Sequence, residues 1–301
     1  MTSKLTPSTD SHIRSGPSME QLLSLEALGP LRFAAHHHQT NRNNVLYGGE
    51  LIGQTLVAAL ATVPHRIPHA LQVSFQGPTR ATQNVIYDVE ATRDGGSLTT
   101  RRIVATQADE AVLFATASFR DQESGYAHEQ RWRVTPPMPE SLPSLTELSR
   151  LYADRVGAHG RGRLSCYQQV DVRPVDPETH LLIKPGAACN RLWIRANISS
   201  GTSEAMSYAV LAYLSDYLLV NAALIPHAAQ LPESRLFTAS LNHSVWFHRF
   251  DDLDDWLLYE TESPWAGDAH ALMTGRFYNR SGQLIASTAQ EALVRELKAD
   301  V

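Results

Sequence analysis

The chain repeats itself. Val73-Ser74-Phe75 returns 172 residues later as Val245-Trp246-Phe247, and Tyr87-Asp88-Val89-Glu90-Ala91 returns at the same spacing as Tyr259-Glu260-Thr261-Glu262-Ser263. Leu113-Phe114-Ala115-Thr116-Ala117 resembles Leu284-Ile285-Ala286-Ser287-Thr288 at a spacing of 171. Near-equal offsets through three segments mean two copies of one supersecondary unit.

Each half has the same order. In the first, residues 48–62 place small and apolar side chains at helical spacing, ended by Pro64. Alternating strand patterns follow at 69–76, 84–92, 98–108 and 111–119. Asp94-Gly95-Gly96 and Ala108-Asp109-Glu110 read as hairpin connections. In the second half the helical pattern runs over about 202–224. Strands are predicted at about 236–249, 255–263, 269–279 and 283–294, with a turn at Asn279-Arg280-Ser281-Gly282. One long helix followed by antiparallel strands describes a sheet wrapped round a helix. Such a unit leaves an edge in need of a partner, so two of them are predicted to join into one sheet. The fold class is α+β and pseudo-symmetric. Residues 1–18 are polar and rich in Ser, Thr and Pro, and read as a disordered tail. The division predicted is a first unit over 19–120, a Pro-rich linker over 121–160 and a second unit over 161–301.

Composition narrows the function. There are 26 Lys and Arg against 31 Asp and Glu, a net charge of −5, which gives no field for a nucleic-acid backbone. The most apolar stretch, 208–225, approaches the length of a membrane span. Ser215, Asp216 and Asn221 interrupt it, and an Asp at mid-membrane costs roughly 2.5–3.5 kcal/mol or more. It reads as a buried helix, and no membrane partner is predicted. Two cysteines, Cys166 and Cys189, suit a reducing compartment, and the first twenty residues lack an apolar signal core. A cytoplasmic location is the expectation. No Gly-x-Ser-x-Gly elbow, P-loop, Rossmann glycine pattern or His-Glu-x-x-His run occurs. His36-His37-His38 points its rings in different directions and is a poor metal site.

Residues 45–65, with Tyr47-Gly48-Gly49-Glu50 near their start, resemble the first long helix of the acyl-CoA thioesterase II family. Residues 86–106 resemble its hairpin. The most specific run is His243-Ser244-Val245-Trp246-Phe247-His248-Arg249, flanked by similar stretches at 255–264 and 275–295. The likeness covers about 30–120 and 190–296. It implies a double-hotdog fold, two sheet-wrapped helices in one chain. It implies hydrolysis of medium- to long-chain acyl-CoA to a fatty acid and CoA. No cofactor or metal is implied, CoA entering as part of the substrate, and the chain is expected to form homo-oligomers, dimers or higher.

In that family an Asp, a Thr and a Gln orient and activate a water. The matching positions here are Asp216, Ser240 and Gln290. The family's Thr-x-Asp-His reads Ser240-Leu241-Asn242-His243, so the hydroxyl survives and the methyl is lost. Asp216 sits among Leu214, Tyr217, Leu218 and Leu219, and burial is expected to raise its pKa and make it a base near neutral pH. Gln290 orients water without titrating, and Ser240 relays a hydrogen bond. Gly48 and Gly49 are candidates for holding the oxyanion through backbone N–H groups, and His243 for touching substrate. Arg42, Arg101, Arg102 and Arg276 are candidates for the CoA phosphates. By sequence alignment, Gln54, Pro68 and Phe119 of the first half lie opposite Asp216, Ser240 and Gln290, so one site per chain is predicted, with the first unit forming a pocket wall. Two further readings stay open. One is an acyl-thioester-binding protein without activity, for which Ser240 and Asn242 speak. The other is a biosynthetic thioesterase acting on an unusual acyl-CoA or acyl carrier. A hotdog dehydratase is disfavoured because no Gly-Asp-x-Asn-Pro-x-His run occurs.

Overall fold

The computed structural model describes residues 13–14, 16–41, 45–132, 134–161, 163–164, 166–231, 236–251 and 253–297. The first unit contains β1 (Ile13–Arg14), α1 (Met19–Leu23), β2 (Glu26–Gly29), β3 (Arg32–Ala35), α2 (Gly48–Leu60), β4 (Ile67–Phe75), β5 (Val85–Asp94), β6 (Leu98–Gln107) and β7 (Glu110–Arg120). The connection holds α3 (Leu145–Leu151) and α4 (Ala158–Arg161). The second unit contains β8 (Cys166–Tyr167), β9 (Val170–Pro174), α5 (Pro177–His180), β10 (Cys189–Ala196), α6 (Glu204–Ser215), α7 (Asn221–Leu224), β11 (Leu236–Phe247), β12 (Leu257–Gly267), β13 (His270–Tyr278) and β14 (Leu284–Glu296).

Twelve strands form one sheet in the order β2-β3-β5-β6-β7-β4-β11-β14-β13-β12-β10-β9. The order is a palindrome under exchange of the two units. Its centre is the antiparallel pair β4–β11, where Gln72 stands directly opposite Ser244. Those two residues are 172 apart, the repeat offset itself, so a pseudo-twofold axis passes between them. Each unit thus covers the edge the other would leave bare. Irregularities repeat as well. β4 is bulged against β7 between Pro68 and Ala70, and β11 against β14 between Ser240 and Asn242.

The two long helices run oppositely and very close. A Cβ on Gly49 would meet the Tyr213 carbonyl oxygen at 2.3 Å, and one on Gly53 the Ala209 oxygen at 3.0 Å. Glycine is needed here for close approach, not for a positive φ. Two-residue turns with positive φ at Ala108-Asp109 and Asp268-Ala269 close the β6–β7 and β12–β13 hairpins, as the right-handed strand twist favours. Gly282, at φ +78°, ends the turn before β14.

Several expectations are corrected. The helix predicted over about 202–224 stops at Ser215; a turn with Leu218 at φ +54° precedes the short α7. The cause is lateral capping of its last carbonyls, by Tyr47 Oη on Tyr213 O at 3.3 Å and Tyr259 Oη on Ser215 O at 2.5 Å. The tail is not disordered throughout its described part. Ile13–Arg14 pairs in parallel with Cys166–Tyr167, and Ser18 caps α1 in a capping box; residues 1–12 and 15 lie outside the described residues. The described residues of the 121–160 linker run over the surface of the fold as a strap, which is no departure from the expected connector. Trp132 packs on Trp193 and Tyr278, and Trp193 Nε1 donates to Pro137 O at 2.8 Å. With both faces covered, Leu192, Trp193 and Ile194 of β10 are all buried, which removes the alternation that marks a strand. No helix among the described residues is long and apolar enough to cross a membrane.

Candidate active site

Asp216 caps the C-terminus of α6. It faces the N-terminus of α2, where a Cβ on Gly48 would lie 2.8 Å from its Oδ2. Ser240 lies at the β11 bulge and Gln290 on β14. Ser240 Oγ donates to Asp216 Oδ1 at 3.4 Å, and the Gln290 side chain and the Gly49 backbone N–H also hydrogen-bond the Asp216 carboxylate. Three elements distant in sequence therefore converge on one carboxylate.

Burial raises the Asp216 pKa to about 7, against the lowering effect of Gln290, Gly49 and Ser240. The positive end of α2 acts in the same direction as those donors. Asp216 keeps contact with a cavity while protein encloses the rest of it. That balance leaves a carboxylate half-protonated near neutral pH, the condition for a general base.

The cavity has a volume of about 520 Å³. Gly48, Asp216, Ser240 and Gln290 line it, and Leu51, Phe75, Leu218, Val220, Phe237 and Leu241 make its apolar walls. Tyr47, Gly48, Leu51 and residues 75–79 come from the first unit. The polar set thus sits in a largely apolar chamber lined by residues of both units, with Asn41, Gln76, Thr79 and Thr238 also on its wall.

The other candidates fall differently. Gly49 spends its N–H on Asp216, so it is not available to an oxyanion while Asp216 is charged. Gly48 lines the cavity and serves by lacking a Cβ. His243 is fully buried and does not line the cavity, so direct substrate contact does not fit it. Its ring nitrogens meet Gln290 Oε1 at 2.6 Å and Ser215 Oγ at 2.7 Å. Arg101, Arg102 and Arg276 pair with Asp94, Glu90 and Glu262, and none lines the cavity; Arg42 lies outside the described residues. His36 pairs with Glu26 and His38 with Glu50, on separate partners.

Pairing also revises one alignment. His243 pairs with Gln290 and Leu71 with Ala117. Position 71 corresponds to 243 at the offset of 172, so the counterpart of Gln290 is Ala117 and not Phe119. Sequence reasoning missed Ser215, Tyr259 and Thr288 behind Asp216. A signal existed for one of them: Thr288 and Gln290 are two apart on a strand and share its inner face.

Two sheet-wrapped helices joined edge to edge define the double-hotdog class. A solved structure described as a hot dog fold protein from Alicyclobacillus acidocaldarius matches at a TM-score of 0.72 over 93% of this chain and 98% of that one, at 18% identity. The model of the family described as acyl-CoA thioesterase matches residues 168–293, and that of the acyl-CoA thioesterase N-terminal domain matches 36–120. Acyl-coenzyme A thioesterase 8 of Rattus norvegicus is 33% identical over 91% of this chain and 88% of its own length. Acyl-CoA thioesterase 2 of Haemophilus influenzae is 29% identical over 91% and 96%. The crystal structure of an acyl-CoA thioesterase II from Mycobacterium marinum superposes with a TM-score of 0.75 at 31% identity, over 94% and 99%. The chain belongs to the acyl-CoA thioesterase family.

Proposed function

We propose that this enzyme hydrolyses the thioester of medium- to long-chain acyl-CoA at Asp216, Ser240 and Gln290. The observation that carries the reading is the convergence of these three side chains on one apolar cavity. The acyl chain lies along Leu51, Phe75, Leu218, Val220, Phe237 and Leu241, with its carbonyl beside Asp216. A water held by Gln290 and Ser240 attacks that carbonyl as Asp216 takes its proton. The C–O bond forms, the C–S bond breaks, and the proton passes from Asp216 to the departing thiolate. The products are a free carboxylic acid and CoA, and Asp216 is restored as carboxylate.

The test is thiol release from an acyl-CoA panel of C2 to C18, with Asp216→Asn beside the wild type. Release by the wild type that collapses in the variant supports the reading, and the length profile identifies the substrate class. Equal rates in both sink the assignment of Asp216. No release from any acyl-CoA leaves a carrier-protein substrate or an acyl-thioester-binding protein.

A further inference from the structure

We propose that His243 is the positioning residue of this site, fixing which end of the Gln290 amide faces Asp216. The inference rests on the reading of Asp216 and Gln290 as the pair that activates water.

Counting protons carries it. Gln290 Oε1 lies 2.6 Å from His243 Nδ1, and an amide oxygen only accepts. Nδ1 therefore carries a proton. Burial lowers the His243 pKa to about 4, so the ring is neutral and holds one proton in all. Nε2 is then an acceptor, and its partner at 2.7 Å, the Ser215 hydroxyl, must donate. Ser215 has one proton, and Ala212 O, also at 2.7 Å, competes for it. The Ser215 rotor, the His243 tautomer and the Gln290 amide are thus one coupled choice.

The opposite choice is easy to write. Ser215 donates to Ala212 O, His243 donates from Nε2 to Ser215, and Nδ1 accepts from the Gln290 NH₂. The Gln290 carbonyl then faces the Asp216 carboxylate, acceptor against acceptor. The Gln290 hydrogen bond to Asp216 selects the first arrangement. The frame behind it is fixed. Ser215 O accepts from Tyr259 Oη at 2.5 Å, and Tyr259 meets Thr288 Oγ1 at 3.1 Å. Gly275 makes the space, since a Cβ there would lie 2.5 Å from Thr288 Oγ1. Tyr259, on β12, is the other titratable group against Asp216, and its pKa is driven far above the usual range, so it stays neutral. Fully buried and outside the cavity lining, His243 acts only through Gln290.

The experiment combines ¹⁵N-histidine NMR with kcat and KM profiles between about pH 5.5 and 9, the range in which Asp216 changes charge. The chains are the wild type, His243→Leu, His243→Asn, Ser215→Ala and Asp216→Asn. The Nδ1–H tautomer is expected for the wild type at neutral pH. His243→Leu is expected to lower kcat about 10- to 100-fold with KM within about twofold, as misplacement of a water-holding group does. Its acid limb moves to higher pH, because Asp216 loses a fixed donor. His243→Asn places an amide N–H near the Nδ1 position and restores most of kcat. An Nε2–H tautomer overturns the proposal, as does His243→Leu with a wild-type kcat and acid limb, or His243→Asn no better than His243→Leu. If His243→Leu does not fold, Ser215→Ala decides: a shift toward Nε2–H with a raised acid limb supports the proposal, and no change in either overturns it. Full activity in Asp216→Asn refutes the underlying function instead, and leaves the tautomer to judge His243 alone.

Discussion

In the first unit Pro68, Leu71 and Ala117 occupy the places that Ser240, His243 and Gln290 hold in the second. The backbone there is the same, even to the bulge after Pro68 and after Ser240. The cavities differ as sharply as the side chains. Phe75 lines the open chamber, whereas Phe247, its counterpart 172 residues on, packs edge to face against Tyr208 at 5.5 Å. Polar groups in the first unit do other work. Gln54 donates to Leu22 O at 2.6 Å and accepts from Tyr87 Oη at 2.6 Å. It ties α1, α2 and β5 together and stays out of the cavity. Duplication supplied two frames, each with a carboxylate that burial disfavours, but the first unit's Glu50 is closed in by His38, Gln39 and Gln54, and only the second was left with the cost of keeping one beside a void. A second such site would add that cost without adding to the fold, which needs only the hydrophobic lining.

The strongest way to break this contrast is Asp216→Asn, which should lower kcat by about 10²–10⁴-fold in the thiol-release assay. Gln54→Leu, the first-unit counterpart by sequence, should leave kcat unchanged and cost about 1–3 kcal/mol in urea unfolding, because Leu22 O and Tyr87 Oη lose their partner. Equal effects of the two on activity would erase the distinction between the units. Next in size, Gln290→Leu should lower kcat about 10²-fold, while Ala117→Gln should only destabilise, by about 1–3 kcal/mol, through an unpaired buried amide.

The pH dependence sharpens the comparison further. Asp216, raised to about 7, should give kcat/KM an acid limb near that pH, with activity rising as the carboxylate forms. The stability effect has the opposite sign. A carboxyl raised from 3.8 to about 7 holds its proton more tightly when folded, so its contribution falls as pH climbs between those values. Urea midpoints of Asp216→Asn should lack that decline and exceed the wild type at pH 8. In the first unit the buried Glu50 carboxyl is also raised by burial, and its stability effect has the same sign, but among the described residues no first-unit carboxylate lines the cavity to give an acid limb in activity. The smallest change expected is Ser240→Thr, within about threefold in kcat, since it restores only the rotamer restraint of a methyl.

Much of this was legible along the chain. Period-two alternation marked β4–β7 and β11–β14, the glycine-rich run marked α2, and the offset of 172 set two units side by side. These are local properties, decided by which residues fit a pleat, a turn or a helix. The resemblance then brought Asp216, Ser240 and Gln290 forward together. Other features depend on what lies across the fold. β10 hid because the strap over Trp193 covers its outer face. α6 stops at Ser215, inside a mostly apolar run, where Tyr47 and Tyr259 take its last carbonyls from outside the helix. The true partner of Gln290 needed the hydrogen-bond ladder, since strand sequences this similar match as well at 171 as at the register the sheet adopts. The sequence marks His243 as a candidate substrate contact, whereas its two ring nitrogens are held between Ser215 and Gln290, a placement that only the packing of α6 on the sheet decides. Sequence alone determined the repeating units and the residue types available to them. Only the tertiary structure decided which carboxylate lost its water and which groups were close enough to answer for it, because desolvation and hydrogen bonding depend on distances that chain order does not contain.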